Sequence, residues 1–144
     1  MLKIERAVEI GADAKTVWAL FATQEGLHRW MVPNIEIDLY PGGRHSHVGG
    51  EDQQRITGKV IEMVPRKRLS LSWFENGPDA GWFNPIRMSF ELEEMQVGTH
   101  VTFVIDGFEG IGTPTYLRTY EAYVRGTDRH HILENLKEAI AQDA

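Results

Sequence analysis

His45 and His47 stand two residues apart in Arg44-His45-Ser46-His47-Val48. On an extended strand that spacing turns both imidazoles to one face. Neutral imidazole accepts or donates a hydrogen bond, shuttles a proton or binds a metal. The pair therefore reads as a polar cavity lining, a weak metal site or an acid–base pair, or else as rim histidines beside a glycine turn. A metal would need a third ligand, for which Glu62 and His131 are the only candidates, and no metal is expected. His130 and His131 are adjacent, so on a helix they point about 100° apart and only one can face a sheet. His131 is the inward choice, because it continues the line of Leu117, Tyr120 and Val124 by helical steps. The ordinary alternative is a partly buried histidine bonded to backbone. Tyr116, Tyr120 and Tyr123 share one helical front. Their hydroxyls can meet the polar end of a ligand, or the rings simply pack and the oxygens stay wet. Trp18, Trp30, Trp73 and Trp82 invite reading as an aromatic cage. Core packing suits Trp18 and Trp73, whereas Trp30, at a helix end, and Trp82-Phe83, in a loop, can border an opening. The cavity candidates are thus Trp30, His45, His47, Trp73, Trp82, Tyr116, Tyr120, Tyr123 and His131.

Nucleophilic chemistry finds no footing. There is no Gly-x-Ser-x-Gly, no cysteine and no phosphate loop. Gly42-Gly43 and Gly49-Gly50 are strand turns with no helix after them, so they do not cradle phosphate. No catalytic residue and no cofactor is expected. Glu62 and Arg87 read as a surface cross-strand pair of little consequence.

The elements that must position these residues follow from periodicity. Ile4, Arg6, Val8 and Ile10 alternate with charge over residues 3–10, a strand with one mixed face. Asp13 caps a helix whose apolar side is Val17, Trp18, Leu20 and Phe21; Thr23 caps a second, from Gln24 to Arg29, ending in Trp30 before Pro33. Ile35, Ile37 and Leu39 mark a strand, and Tyr40-Pro41-Gly42-Gly43 a turn. Arg44 to Val48 is the histidine strand, followed by a turn at Gly49-Gly50-Glu51-Asp52. Gln54 to Val64 is a long strand in which Gly58 signals a bulge or a close approach. Leu69, Leu71 and Trp73 alternate with serines. Residues 75–85 are a long loop. Two further strands carry Ile86, Met88, Phe90, Leu92 and Val101, Phe103, Ile105.

Thr113 to Gln142 predicts one long helix, opened by Thr113-Pro114-Thr115, a hydroxyl cap on each side of a proline. Its front stripe is Tyr116, Leu117, Tyr120, Tyr123 and Val124; its rear stripe is Leu133, Leu136 and Ile140. The stripes face slightly different ways, with Gly126 between them as the expected bend. The order β, α, α, six β, α with short turns indicates an α+β meander gripped by one terminal helix.

Composition bounds the alternatives. The 144 residues fit a single domain, 1–144, with a real core. No apolar run approaches the ~20 residues of a membrane span. Met1-Leu2-Lys3-Ile4-Glu5 runs straight into charge alternation without an export signal, so cytoplasmic residence is expected. Net charge is −6, and the one basic cluster, Arg66-Lys67-Arg68, reads as a hairpin turn; no nucleic acid is expected.

The residues also carry a family likeness. Val17-Trp18, Trp30 with Pro33, Pro41-Gly42-Gly43, Gly58-Lys59-Val60-Ile61-Glu62 with Pro65, Arg68-Leu69 and Trp73, Gly98-Thr99-His100-Val101-Thr102, Gly107-Phe108, and Leu133-x-x-Leu136-Lys137 occur in order over nearly the full chain. Singly none is specific; together they resemble the helix-grip, START-like (SRPBCC) superfamily. Within it they resemble the branch named for the activator of the ninety-kilodalton heat-shock chaperone's ATPase. The resemblance implies a curved antiparallel sheet of about seven strands, two short helices after strand one and one long C-terminal helix across the sheet. It implies a sheet–helix cavity suited to small apolar or amphipathic molecules, and no shared catalytic residues. One departure stands out. The family usually carries Gly-Trp midway along the last helix, where this chain has Gly126-Thr127 and then Arg129-His130-His131. A cavity wider or wetter near Gly126 is the expectation.

Three functions fit this reading. The first is binding of a small hydrophobic or aromatic ligand in the cavity. The second is a cyclase-, aromatase- or hydrolase-type enzyme using polar cavity residues. The third is a co-chaperone-like interaction module tied to stress response, with a chaperone or a second copy of the chain as partner.

Overall fold

Period-two alternation builds the sheet. In β1 (Lys3–Ile10), β6 (Ile86–Glu94) and β7 (Thr99–Asp106) alternate residues turn to the core, and Ile86, Met88, Phe90 and Leu92 are buried between exposed or half-buried neighbours. The structure is a computed structural model that describes residues 2–49, 54–77 and 80–143. It adds β2 (Glu36–Ile37), β3 (Arg44–Gly49), β4 (Gln54–Val64) and β5 (Arg68–Glu75). The seven strands form a single antiparallel sheet in the order β1-β7-β6-β5-β4-β3-β2. Strand β2 is shorter than the alternation of Ile35, Ile37 and Leu39 predicts. The chain turns back at Tyr40, and Gly42 N–H and Val60 N–H form bonds between the turn and β4 instead. Apart from Gly49, the turn expected over residues 49–52 lies outside the described residues, as do Pro78 and Asp79 of the long loop. Glu62 bonds Arg68 at 3.0 Å rather than Arg87, since β4 and β6 are not neighbours.

Both short helices start as their caps dictate. The Asp13 carboxylate accepts from Thr16 N–H at 2.8 Å ahead of α1 (Ala14–Trp18), and the Thr23 hydroxyl accepts from Gly26 N–H at 3.0 Å ahead of α2 (Gln24–Trp30). They deliver Trp18, Phe21 and Trp30 to the sheet. Trp18 stacks on Phe21 with centroids 5.5 Å apart; Trp30 meets Phe90 edge-on at 5.2 Å; Phe90 stacks on Phe103 at 4.5 Å. These offset and edge-on arrangements suit the aromatic quadrupole.

The terminal helix runs from Tyr116 to Asp143 in two parts, α3 (Tyr116–His130) and α4 (Ile132–Asp143). The bend falls at His131, not Gly126. His131 is left-handed, with φ 50° and ψ 44°, while Gly126 lies inside α3. Asn135 completes the break: its side chain donates to His130 O at 3.1 Å and its N–H to His131 O at 2.9 Å. The hydroxyl cap expected at the start is not made, and Thr113 Oγ1 is buried without a partner among the described residues. A 3-10 turn, Phe108–Ile111, leads in, between Gly107 (φ 90°) and Gly112 (φ 83°), positions only glycine adopts freely.

The two halves are held very differently. Helix α4 buries Leu133, Leu136, Ala139 and Ile140, and α3 buries none. Arg29 of α2 clamps the end of α4, donating to both Asp143 oxygens at 2.8 and 2.9 Å and to Ala139 O at 3.1 Å. Helix α3 is held by a forked Arg6–Asp128 pair at 2.9 and 3.2 Å and by Tyr120 and Tyr123 packed edge-on against Phe108. No described helix is long and apolar enough to cross a membrane.

A left-handed non-glycine residue costs about 1–2 kcal/mol. Replacing His131 with Gly should therefore raise unfolding stability by about 0.5–1 kcal/mol after its own entropy loss, measured by urea titration. A fall would show that the imidazole contributes more at the bend than its backbone costs.

Candidate functional site

Register brings the inner residues of the far half of the sheet together. His45 lies opposite Ile37 on one side and Gly58 on the other, while Trp73 lies opposite Ile86. His47 lies opposite Ile56, which lies opposite Glu75. His45 and His47 are both buried, at 3% and 7% exposure. Their rings lean on Trp73, with centroids 5.5 and 4.8 Å away.

The β4–β5 ladder is irregular at this point. Pairing is carried by Thr57–Phe74 and by Val60–Leu71. Between them Lys59 N–H donates to the Ser72 hydroxyl at 2.9 Å. The Ser72 carbonyl accepts instead from His45 Nε2, at 2.7 Å, across the intervening strand. Gly58 makes this crossing feasible, since a Cβ there would overlap the Ser72 carbonyl oxygen and the His45 ring. A carbonyl only accepts, so Nε2 carries the proton and Nδ1 of the neutral ring carries a lone pair. That Nδ1 is buried with no partner among the described residues, and so is Nδ1 of His47.

Helix α3 closes the cluster from above. The Tyr123 hydroxyl donates to Glu75 at 2.6 Å, and the Tyr123 ring meets Trp82 at 6.2 Å and Phe108 at 5.8 Å. Burial first, then the Glu75 carboxylate, raise the Tyr123 hydroxyl well above its ordinary range, outweighing a Trp73 contact that lowers it. The phenol is therefore a fixed donor. Burial lowers the His45 pKa, partly offset by the Ser72 carbonyl, and lowers that of His47 to about 4, helped by His45. Both rings are neutral near pH 7.

The remaining candidates part company with this cluster. Trp30 is in the aromatic core, not at a rim, and its indole N–H donates to Leu20 O at 2.9 Å. His131, expected to face inward, is exposed and sits 3.7 Å from Glu134; the bend at that residue turns it outward. Tyr116 and Tyr120 are half-buried, with Tyr120 against Phe108. Trp82 is buried between Phe74 and Tyr123, while Phe83 beside it is 79% exposed. At Gly126 an added Cβ would meet nothing among the described residues nearer than the His130 ring at 4.0 Å. Glu75 and Ser72 carry no mark in the sequence that singles them out. Among the described residues no group of three His, Asp or Glu is placed to hold a metal. A groove of about 950 Å³ runs along Glu36, Ser46, Thr57 and Phe74 and reaches His45, Gly58 and Ser72.

Over residues 11–139 the sequence matches the family described as Activator of Hsp90 ATPase homolog 1-like protein. The chain belongs to that family. No curated protein matches it. Solved structures similar to this chain share its fold. Protein MLL2253 of Mesorhizobium loti has a TM-score of 0.81 at 18% identity, covering 99% of each chain. The Aha1 dimer of Colwellia psychrerythraea has a TM-score of 0.71 at 22% identity, over 97% of this chain and 96% of that one. DynU16, from the dynemicin biosynthetic locus, has a TM-score of 0.69 at 15% identity, over 96% of this chain and 47% of that one.

The buried imidazoles make stability depend on pH. Below about 6.5 the unfolded chain takes up a proton that folded His47 refuses until about pH 4, so stability is full above that window and falls as pH drops through it. At about 1.4 kcal/mol per unit the loss over that window is at most ~3.5 kcal/mol. His47→Phe should flatten urea-derived stability between pH 6.5 and 4 relative to the parent chain. Parallel curves would show that His47 already protonates freely in the folded state.

Proposed function

We propose that this chain binds a small amphipathic molecule with an apolar or aromatic body, held between the sheet and α3 against Trp73. One observation carries the reading. Two buried imidazoles present Nδ1 atoms without a partner among the described residues, beside a flat indole and under the half of the helix whose tyrosines are only half-buried. Buried polar atoms are nearly always satisfied, so such atoms call for a partner. Helix α3, held by the Tyr123–Glu75 bond and the exposed Arg6–Asp128 pair rather than by fully buried side chains, is the part that can lift to admit one. Trp82 and exposed Phe83 lie beside its start.

Binding fits this chemistry better than catalysis. The phenol of Tyr123 is kept protonated, the histidines are neutral, and the carboxylate of Glu75 is engaged by Tyr123. None of these is an activated nucleophile. Self-association is a second reading, supported by the fold shared with the Colwellia Aha1 dimer.

Native mass spectrometry of protein purified from its own cells should show one small molecule per chain, lost in Trp73→Ala. Ligand at a hundredfold excess over Kd should stabilise the chain by about 2.7 kcal/mol. Apo mass alone, together with no thermal shift across a panel of apolar aromatics, would defeat the proposal.

A further inference from the structure

We infer that His45 sets the specificity of this site by selecting ligands that carry a hydrogen-bond donor, a hydroxyl or an aromatic N–H, which its Nδ1 accepts. This rests on the ligand site proposed above and names what that site recognises.

The orientation of the ring is fixed by three residues far apart in sequence. His45 comes from β3, the space it crosses is opened by Gly58 of β4, and the carbonyl that holds it is Ser72 of β5. With the proton committed to Ser72 at 2.7 Å, the other nitrogen is an acceptor that cannot exchange roles. It is shut from water and has no described partner. The neighbouring polar groups do not supply the missing proton. Tyr123 gives its hydroxyl hydrogen to Glu75, and the Nδ1 of His47 has no partner of its own among the described residues. A ligand that donates completes the acceptor; an isostere that does not leaves it as it is. Sites built to bond a polar group discriminate strongly against analogues lacking it. Burial keeps the ring neutral, which preserves the lone pair at ordinary pH.

The Ser72 bond alone would be a purely structural role for His45, and a substitution separates the two. His45→Gln can place an amide N–H where Nε2 stood, keeping the bond to Ser72, while removing the acceptor at the Nδ1 position.

Matched pairs test the idea by calorimetry: indole against benzothiophene, and 2-naphthol against 2-methylnaphthalene. The parent chain should prefer the donor of each pair at least tenfold. His45→Gln should reduce that preference to near unity while leaving affinity for the donor-free member unchanged. The ¹⁵N resonance of His45 Nδ1 should move upfield with the donor and stay put with its isostere. Equal affinity within each pair for the parent chain overturns the inference and leaves the ligand site standing, and needs no variant to fold. A preference retained in folded His45→Gln, or an unmoved Nδ1 resonance, also overturns it. Failure of the parent chain to bind any of the four removes the ligand site and this inference together.

Discussion

The aromatic packing of Phe21, Trp30 and Phe90 fixes where the terminal helix is held. Trp30 is fully committed, with its ring faces in the core and its indole N–H on a backbone carbonyl. The helix that carries it also carries Arg29, which clamps the last turn of α4. Apolar burial and a forked ion pair thus coincide at one end of the molecule. At the other end the same helix has half-buried tyrosines, the Tyr123–Glu75 bond and the pair Arg6–Asp128, as exposed as Arg29–Asp143, and exposed pairs of this kind contribute little, so apolar burial makes the difference. The contrast between a fastened half and a loosely seated half follows from where the large rings are.

Under the loosely seated half the sheet itself changes character. A regular ladder would consume the Ser72 carbonyl within β4 and β5. Here the glycine at position 58 lets a side chain from the next strand take it. The departure from ladder geometry brings an imidazole into the interior in one tautomer, and Trp73 supplies a flat wall beside it. Local irregularity and functional chemistry are in this sense one arrangement seen from two sides.

Much of the fold was legible because period-two alternation and capping residues are local signals. Asp13 and Thr23 cap as their sequence positions imply, and the order of strands and helices needs only turns between apolar runs. The family likeness rested on spacing of the same kind. What was hidden was non-local. Gly126 is the weaker helix former, yet the bend is at His131, because Asn135 can complete a break there. Helical steps extrapolated from Tyr120 assume a straight rod, so they sent His131 the wrong way. Of the site, the shared face of His45 and His47 could be read from their spacing, and Gly58 from its place inside a strand. Glu75 and Ser72 could not, since a carboxylate at a strand end and a serine among alternating serines have no distinguishing pattern.

The abbreviated β2 has a bearing on solution behaviour. A sheet edge recruits foreign strands in proportion to the run of free backbone groups it displays. Here the outermost strand is Glu36–Ile37, with an acidic side chain on its outer face, and the chain leaves the plane at Tyr40 to bond β4. The outermost strand therefore offers only two residues of extended main chain to a growing fibril.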